Sequence, residues 1–397
     1  MKAATSANSP IPPGILYLDY AATTPLAPEV LEAMMPFLTS SFGNANTLYS
    51  LGAECREAIH AARETMARFI GAEDPSEVVF TSGGTESDNA AIRGVWEANP
   101  GKYVVCSSIE HHAVLDTCMA VAGDRCVVVD VGPDGILSPD ALRAAMPPDP
   151  CLVSVMHANN EIGVIQPIRE LAAVAHAAGA VFHTDAVQSA GKIPIDVVEM
   201  GIDLLSISAH KLYGPKGVGV LYVKKGTKLR TQQTGGEQEH GKRGGTSNTP
   251  GIVGLAKAAE LAMGEMADET VRLRALRDRL IDGVLSAVPD CRLTGAREPR
   301  LPHNAHFLFR GCEGESILLN LDHVGICCSA GAACASGSVE MSHVLRALRI
   351  EPEWGQGAVR VSLGRYTTES DIERAISALA SAVEQVRRLT TAPPLIS

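Results

Sequence analysis

Four segments of the 397-residue chain hold residues whose types and spacing could do chemistry. The first is Phe80-Thr-Ser-Gly-Gly-Thr-Glu-Ser-Asp-Asn89. An apolar run ends there, two glycines turn the chain, and a helical pattern starts near Thr85. Backbone N–H groups and the positive end of a helix dipole would attract an anion at such a junction, with the Thr85 hydroxyl as a further donor. Taken alone it is equally an ordinary capped turn. It lacks the lysine of a Walker-type phosphate loop. The second segment is Phe182-His-Thr-Asp-Ala-Val-Gln188. Asp185 closes a buried apolar strand, and a buried carboxylate needs a cationic partner. A protonated pyridine nitrogen is such a partner, and a helix cap is the plainer alternative. The third, Leu204-Leu-Ser-Ile-Ser-Ala-His-Lys-Leu-Tyr-Gly-Pro-Lys-Gly217, sets Lys211 directly after an apolar strand. A lysine desolvated there has a lowered pKa and suits Schiff-base chemistry. Ser208 and His210 stand beside it as phosphate donors, whereas Lys216 reads as a surface lysine. The fourth, Cys327-Cys-Ser-Ala-Gly-Ala-Ala-Cys-Ala-Ser-Gly-Ser338, surrounds Cys334 with Ala, Gly and Ser. Such chain has little to bury, which suits a thiol that must reach a substrate and carry cargo away. Cys106, Cys126 and Cys151 read as small buried hydrophobes. So do Cys327 and Cys328, at the end of an apparent strand.

The elements that must position these residues alternate. β-rich runs at Val78–Thr81, Tyr103–Ser107, Cys126–Asp130, Cys151–Met156, Ala180–Thr184, Asp203–Ser208 and Val218–Val223 are separated by helical patterns. The helical patterns include Thr85–Glu97, Ala113–Ala122, Pro139–Ala145 and Ile168–Ala178. That alternation predicts an α/β layer with a mainly parallel mixed sheet, whose ligands sit beyond the carboxyl ends of the strands. A long helix follows over Thr249–Ala287. Beyond Asp290 come a strand at Ala305–Phe309, helices at Glu315–Leu321 and Ser342–Leu348, a strand at Ala358–Leu363, and an amphipathic helix from Glu369. The expected organisation is a large domain over 15–262 and a smaller α+β domain over 263–397. The smaller one carries the cysteine loop, with residues 1–14 packing nearby.

Composition narrows the function further. Lys and Arg total 34 against 45 Asp and Glu, a formal charge of −11. So acidic a chain has no general attraction for nucleic acid, and a small anion needs a local site. The start of the chain lacks the basic and apolar parts of a secretory signal, and no apolar stretch reaches membrane length. The expectation is a cytoplasmic protein with no membrane partner. Its ten cysteines are then mostly reduced thiols. No CxxC pair occurs, so no zinc site is expected; His157 and His183 read as strand or site-lining residues rather than metal ligands, and the His303/His306 spacing fits a metal only loosely.

In order, the glycine turn, the strand-end Asp and Ser-x-His-Lys resemble the fold-type I pyridoxal-phosphate (PLP) enzymes, class V aminotransferase branch. Within that branch the chain closely resembles the group I cysteine desulfurases of the NifS/IscS type. The resemblance runs from Leu18-Asp-Tyr-Ala-Ala-Thr-Thr-Pro25 to Arg360-Val-Ser-Leu-Gly-Arg365. It includes Glu110-His111, His157-Ala-Asn-Asn-Glu-Ile-Gly163, Asp185-Ala-Val-Gln188, His210-Lys211 and Arg243-Gly-Gly-Thr246. The cysteine segment departs from the family's usual Ser-Gly-Ser-Ala-Cys, reading Ala-Gly-Ala-Ala-Cys here.

The resemblance implies the roles. Lys211 carries PLP and shuttles the substrate α-proton, Asp185 pairs with the ring nitrogen, and Gln188 meets the phenolic oxygen. His111 stacks on the ring and works as an acid or base. Gly84, Thr85, Ser208 and His210 hold the phosphate, joined by Thr246 from the second subunit of a homodimer. Asn159 touches cofactor and substrate, and Arg360 binds the substrate carboxylate. Cys334 receives the sulfur of L-cysteine, leaving alanine. An iron–sulfur scaffold protein is the implied acceptor, with a cluster transiently involving Cys334. The residues after Cys334 and the C-terminal sequence lean toward the nitrogen-fixation type. Selenocysteine lyase and class V aminotransferase are the enzymatic alternatives, and a non-catalytic scaffold would not need Lys211.

Overall fold

The computed structural model describes residues 10–330 and 341–391. A two-residue strand β1 (Leu16–Tyr17) leads into helices α1 (Pro28–Thr39) and α2 (Ser50–Ile70). The alternating region then runs β2 (Val78–Thr81), α3 (Gly84–Ala98), β3 (Tyr103–Ser107), α4 (His112–Ala122), β4 (Cys126–Val129) and α5 (Pro139–Ala145). It continues β5 (Pro150–Ser154), α6 (Ile168–Ala177), β6 (Val181–Asp185), β7 (Leu204–Ser208) and β8 (Gly219–Val223). Strands β2, β5, β7 and β8 are buried at every residue. A sheet covered by helices on both faces requires such continuous apolar runs.

The seven strands lie in the order β2-β8-β7-β6-β5-β3-β4. Only β8 is reversed, pairing antiparallel with both β2 and β7. β2, β7, β6, β5, β3 and β4 therefore share one direction, so their carboxyl ends form a single edge. Local signals close the elements. Ser138 accepts from Ala141 N at the start of α5, and Gly71 ends α2 with a left-handed φ of 71°.

The 39-residue helix α7 (Thr249–Ala287) opens on an Asn248 cap and a proline in its first turn. After it come β9 (Cys291–Leu293), β10 (Asn304–Phe309), α8 (Gly314–His323), β11 (Ile326–Cys327), α9 (His343–Ala347), α10 (Pro352–Gly355), β12 (Ala358–Ser362) and α11 (Glu369–Thr391). Strands β12-β10-β9 form an antiparallel sheet, and β1 pairs with β11. The largest apolar cluster surrounds the seven-stranded sheet and takes in Ile252, Leu255 and Ala259 of α7. The second joins Leu273, Leu280 and Val284 of α7 to Phe307, Val359 and Leu379, and also to Leu16 and Leu18. No helix among the described residues is long and apolar enough to cross a membrane.

Candidate active site

The shared sheet edge gathers the residues singled out in the sequence. β2 delivers Gly84, β3 delivers Glu110 and His111, β5 delivers Asn159, β6 delivers Asp185 and Gln188, and β7 delivers Ser208, His210 and Lys211. A segment that sequence reasoning left without a role binds several of them together. Residues Asp19 to Thr24 cross this edge as a strap. Lys211 Nζ donates to the carbonyls of Ala21 and Ala22, each at 2.6 Å. Gln188 Nε2 donates to the same Ala21 carbonyl at 3.1 Å. His210 Nδ1 lies 3.1 Å from Thr23 Oγ1, and Thr24 N donates to the His210 carbonyl at 2.9 Å. Just past Lys211, Tyr213 adopts a left-handed φ of 63°, strained for a residue with a side chain. Its N–H donates to Thr24 Oγ1 at 2.8 Å and its hydroxyl accepts from Arg365 N at 2.7 Å, which holds that turn in place. Main-chain carbonyls have no signature in a sequence, so the strap's function was visible only in the fold.

The N-terminus of α3, with no side-chain cap, forms one pole of this edge. A Cβ on Gly84 would stand 2.7 Å from Val187 Cγ2, so only glycine lets this helix end approach the Asp185–Gln188 turn. The first N–H groups of a helix have no partner inside it. Ser208 is buried behind them, with its Oγ 3.8 Å from where a Cβ on Gly83 would sit. Thr85 is exposed. His210 is kept neutral: burial and the charges of Lys211 and Lys216 push it down to about 4.

Carboxyls crowd the other pole. Asp185 accepts from Val187 N at 2.8 Å. Burial raises its pKa, while His111 and Lys211 pull it back. Glu110 is fully buried, with Oε1 accepting from Ser107 Oγ and, at 2.9 Å, from Met156 N. Burial pushes it up to about 8 and Asp185 adds to the rise, so it is largely protonated at neutral pH. Asp88 is raised for the same reasons. His111 caps α4: its Nδ1 accepts from Ala113 N at 3.1 Å. That bond assigns the proton of the neutral ring to Nε2. Burial lowers its pKa, which favours that neutral form.

Asn159 is wholly buried, with Oδ1 accepting from Glu161 N and Ile162 N and Nδ2 donating to the Ile109 carbonyl, each at 2.9 Å. It builds the wall, leaving one amide hydrogen near Met156 Sδ at 3.4 Å. Arg360 is 2% exposed on β12 and donates to Asp19 Oδ1 and the Asn160 carbonyl, both at 2.8 Å. Thr246 stands exposed, three residues beyond Arg243, which pairs with Glu86 of α3 at 2.9 Å. Cys334 lies outside the described residues. Cys327 ends β11 and Cys328 follows it. Burial raises both thiols, Cys328 to about 12. Among the described residues, no group of three or more His, Cys, Asp or Glu is placed to hold a metal ion.

An uncapped helix N-terminus, a lysine and a buried carboxylate thus share one strand edge. That arrangement can hold an aromatic cation bearing a phosphate and bind a carbonyl carbon through the amine. The class it defines is the α/β proteins with a mainly parallel sheet and a lysine just beyond its carboxyl edge. Residues 16–375 match the family described as Aminotransferase class-V, and the chain belongs to that family. The chain is 50% identical over 379 residues to the Cysteine desulfurase IscS of Dictyoglomus turgidum, covering 94% of this chain and 96% of that one. It is 47% identical over 383 residues to the Cysteine desulfurase IscS of Methanosarcina thermophila, covering 96% and 94%. Among solved structures it is similar to a NifS-like protein, with a TM-score of 0.87 and 34% identity over 94% of this chain and all of that one. It is also similar to a structure described as SspA in complex with cysteine, with a TM-score of 0.77 and 35% identity over 89% and 99%.

Proposed function

We propose that the chain is a PLP-dependent cysteine desulfurase, which converts L-cysteine to L-alanine and passes the sulfur to the thiol of Cys334. One observation carries the reading: the strap at Ala21–Thr24 ties Lys211, Gln188 and His210 together at the edge where Asp185 ends β6. The names of the relatives support the same substrate and reaction.

The residues fit that cofactor. Asp185 is a buried carboxylate disfavoured by its surroundings, and a pyridinium nitrogen would restore its charge. The α3 N-terminus at Gly84 and Thr85, with Ser208 and His210, would hold the phosphate. His111 would stack on the ring and Gln188 would meet its phenolic oxygen. Bound through Lys211, PLP supplies an electron sink to the substrate α-carbon.

The remaining work falls to side chains of this chain. Lys211 Nζ, freed once the substrate amine takes its place, would take the α-proton and return one. His111 acts as a donor through Nε2. Arg360 orients the substrate carboxylate through its guanidinium fork, with Asn159 beside it. The Cys334 thiolate attacks the substrate sulfur. An S–S bond forms, the Cβ–S bond breaks, and the electron pair left on carbon takes a proton, so that alanine departs. Cys328 is a poor substitute, because its raised pKa keeps it a thiol. A second copy of the chain would supply Thr246. Leu38, Phe42, Leu48 and Tyr49, exposed by 54%, 72%, 97% and 55%, are large apolar side chains that such a copy would cover. The persulfide then passes to an acceptor protein of iron–sulfur cluster assembly.

Purified protein given L-cysteine and a thiol reductant is expected to release alanine and sulfide in equal amounts. Cys334→Ser loses sulfide release and keeps the cofactor's absorbance, whereas Lys211→Ala loses the covalently held cofactor. Normal sulfide release by Cys334→Ser would reject Cys334 as the acceptor thiol.

A further inference from the structure

The guanidinium assigned to the substrate carboxylate already has an anionic neighbour. Arg360 Nη2 donates to Asp19 Oδ1 and Nη1 donates to the Asn160 carbonyl, both at 2.8 Å. The pair is largely buried, with side-chain exposures of 2% for Arg360 and 17% for Asp19. Asp19 is itself held in the strap. Its backbone bridges to Ser362, two residues beyond Arg360 on β12, and its carbonyl accepts from Tyr17 Oη and Ala22 N, each at 3.0 Å. Two bonds from different nitrogens fix the plane of a guanidinium, which is rigid within itself. The same carboxylate repels any second carboxylate that approaches that fork.

Resting on the proposed reading of Arg360, we propose that Asp19 is a positioning residue for substrate recognition. It holds the Arg360 fork in one orientation and offsets part of its charge, so an α-amino acid carboxylate binds in a defined pose but weakly. Weak binding with defined geometry favours turnover, because tight ground-state binding does not lower the barrier. Asp19 has no part in the bond-making steps.

The test compares L-alanine, the carboxylate-bearing product, with L-alaninamide, its neutral counterpart, titrated into the holoenzyme and followed by cofactor absorbance. Asp19→Asn keeps an oxygen acceptor and removes the charge. It is expected to tighten L-alanine binding by about threefold to tenfold and to leave L-alaninamide within about twofold. Asp19→Ala also frees the fork, and kcat with saturating L-cysteine is expected to fall by about tenfold or more. The proposal is overturned if Asp19→Asn moves both ligands equally or moves neither. Arg360→Gln separates the two levels. If it abolishes the difference between the ligands while Asp19→Asn has no effect, Asp19 alone is misassigned. If it leaves the difference intact, the reading of Arg360 fails and Asp19 with it.

Discussion

Buried charge is handled in opposite ways at two places in this molecule. Behind the sheet edge, burial raises the pKa of Asp88, Glu110 and Asp185, Asp185 adds to the rise at the other two, and Glu110 adds to that at Asp88. Asp88 Oδ1 stands 3.7 Å from His183 Nε2, but burial pushes that histidine down to about 3 and keeps it neutral. In the second half of the chain, Arg277 and Arg300 are also buried, yet each is surrounded by acceptors. Arg300 donates through Nε to Ala296 O at 3.0 Å, through Nη1 to Ile162 O at 2.5 Å, and through Nη2 to Thr294 O. Arg277 meets the carbonyls of Arg300 and Leu301 at 3.1 Å and the carboxylates of Asp278 and Glu298. The difference follows from chemistry. A buried carboxyl can take up a proton and shed its charge, whereas a guanidinium cannot, so its acceptors must be built. The acid group can therefore be tuned, and the arginine group acts as a fixed joint between Ile162 and the 294–301 loop.

The largest expected effect breaks the joint. Arg300→Met strands three carbonyls in the interior and should cost about 3–5 kcal/mol in urea unfolding. A loss below about 1 kcal/mol would place those carbonyls in contact with water and erase the contrast. A smaller, pH-dependent effect tests the acid group. The folded chain holds the Glu110 proton more tightly than the unfolded chain, with a pKa of about 8 against 4.5. That contribution is complete below about pH 4.5 and is lost as pH rises to about 8. Glu110→Gln, which keeps the neutral shape, should match the parent within about 1 kcal/mol at pH 5 and exceed it by about 2–4 kcal/mol at pH 9. Identical pH slopes for the two proteins would mean that Glu110 is ionised in the fold. The smallest effect supplies the baseline. The pair Arg143–Asp140 is 63% and 91% exposed, and Arg143→Ala should change stability by less than about 0.5 kcal/mol.

Much of this arrangement was legible in the residues. The strands at Val78–Thr81 and Tyr103–Ser107 and the helices at Pro139–Ala145 and Thr249–Ala287 have the bounds read from pattern alone. Their apolar runs are sharply bounded by glycine, proline or a capping residue. The reversal of β8 was hidden, because an apolar run does not reveal its direction. The pairing of Leu16–Tyr17 with Ile326–Cys327 was hidden too, since two residues carry no periodicity. In the site, side chains with distinctive chemistry, such as Lys211, Asp185 and His111, announced themselves. Asp19 and the carbonyls of Ala21 and Ala22 did not, because their importance lies in what the fold brings to them. The neutrality of Glu110 was equally unreadable, since it depends on the depth at which the chain buries it.

Helix α7 has a mechanical consequence. It extends about 58 Å at 1.5 Å per residue, and its two ends are embedded in different apolar clusters. A continuous helix is a stiff shaft without a hinge, and bending it sharply means breaking the ladder of hydrogen bonds along its middle. Torque applied to one cluster is therefore transmitted to the other. Heat that loosens either end weakens the shaft for both, so the two clusters should melt together in one calorimetric transition.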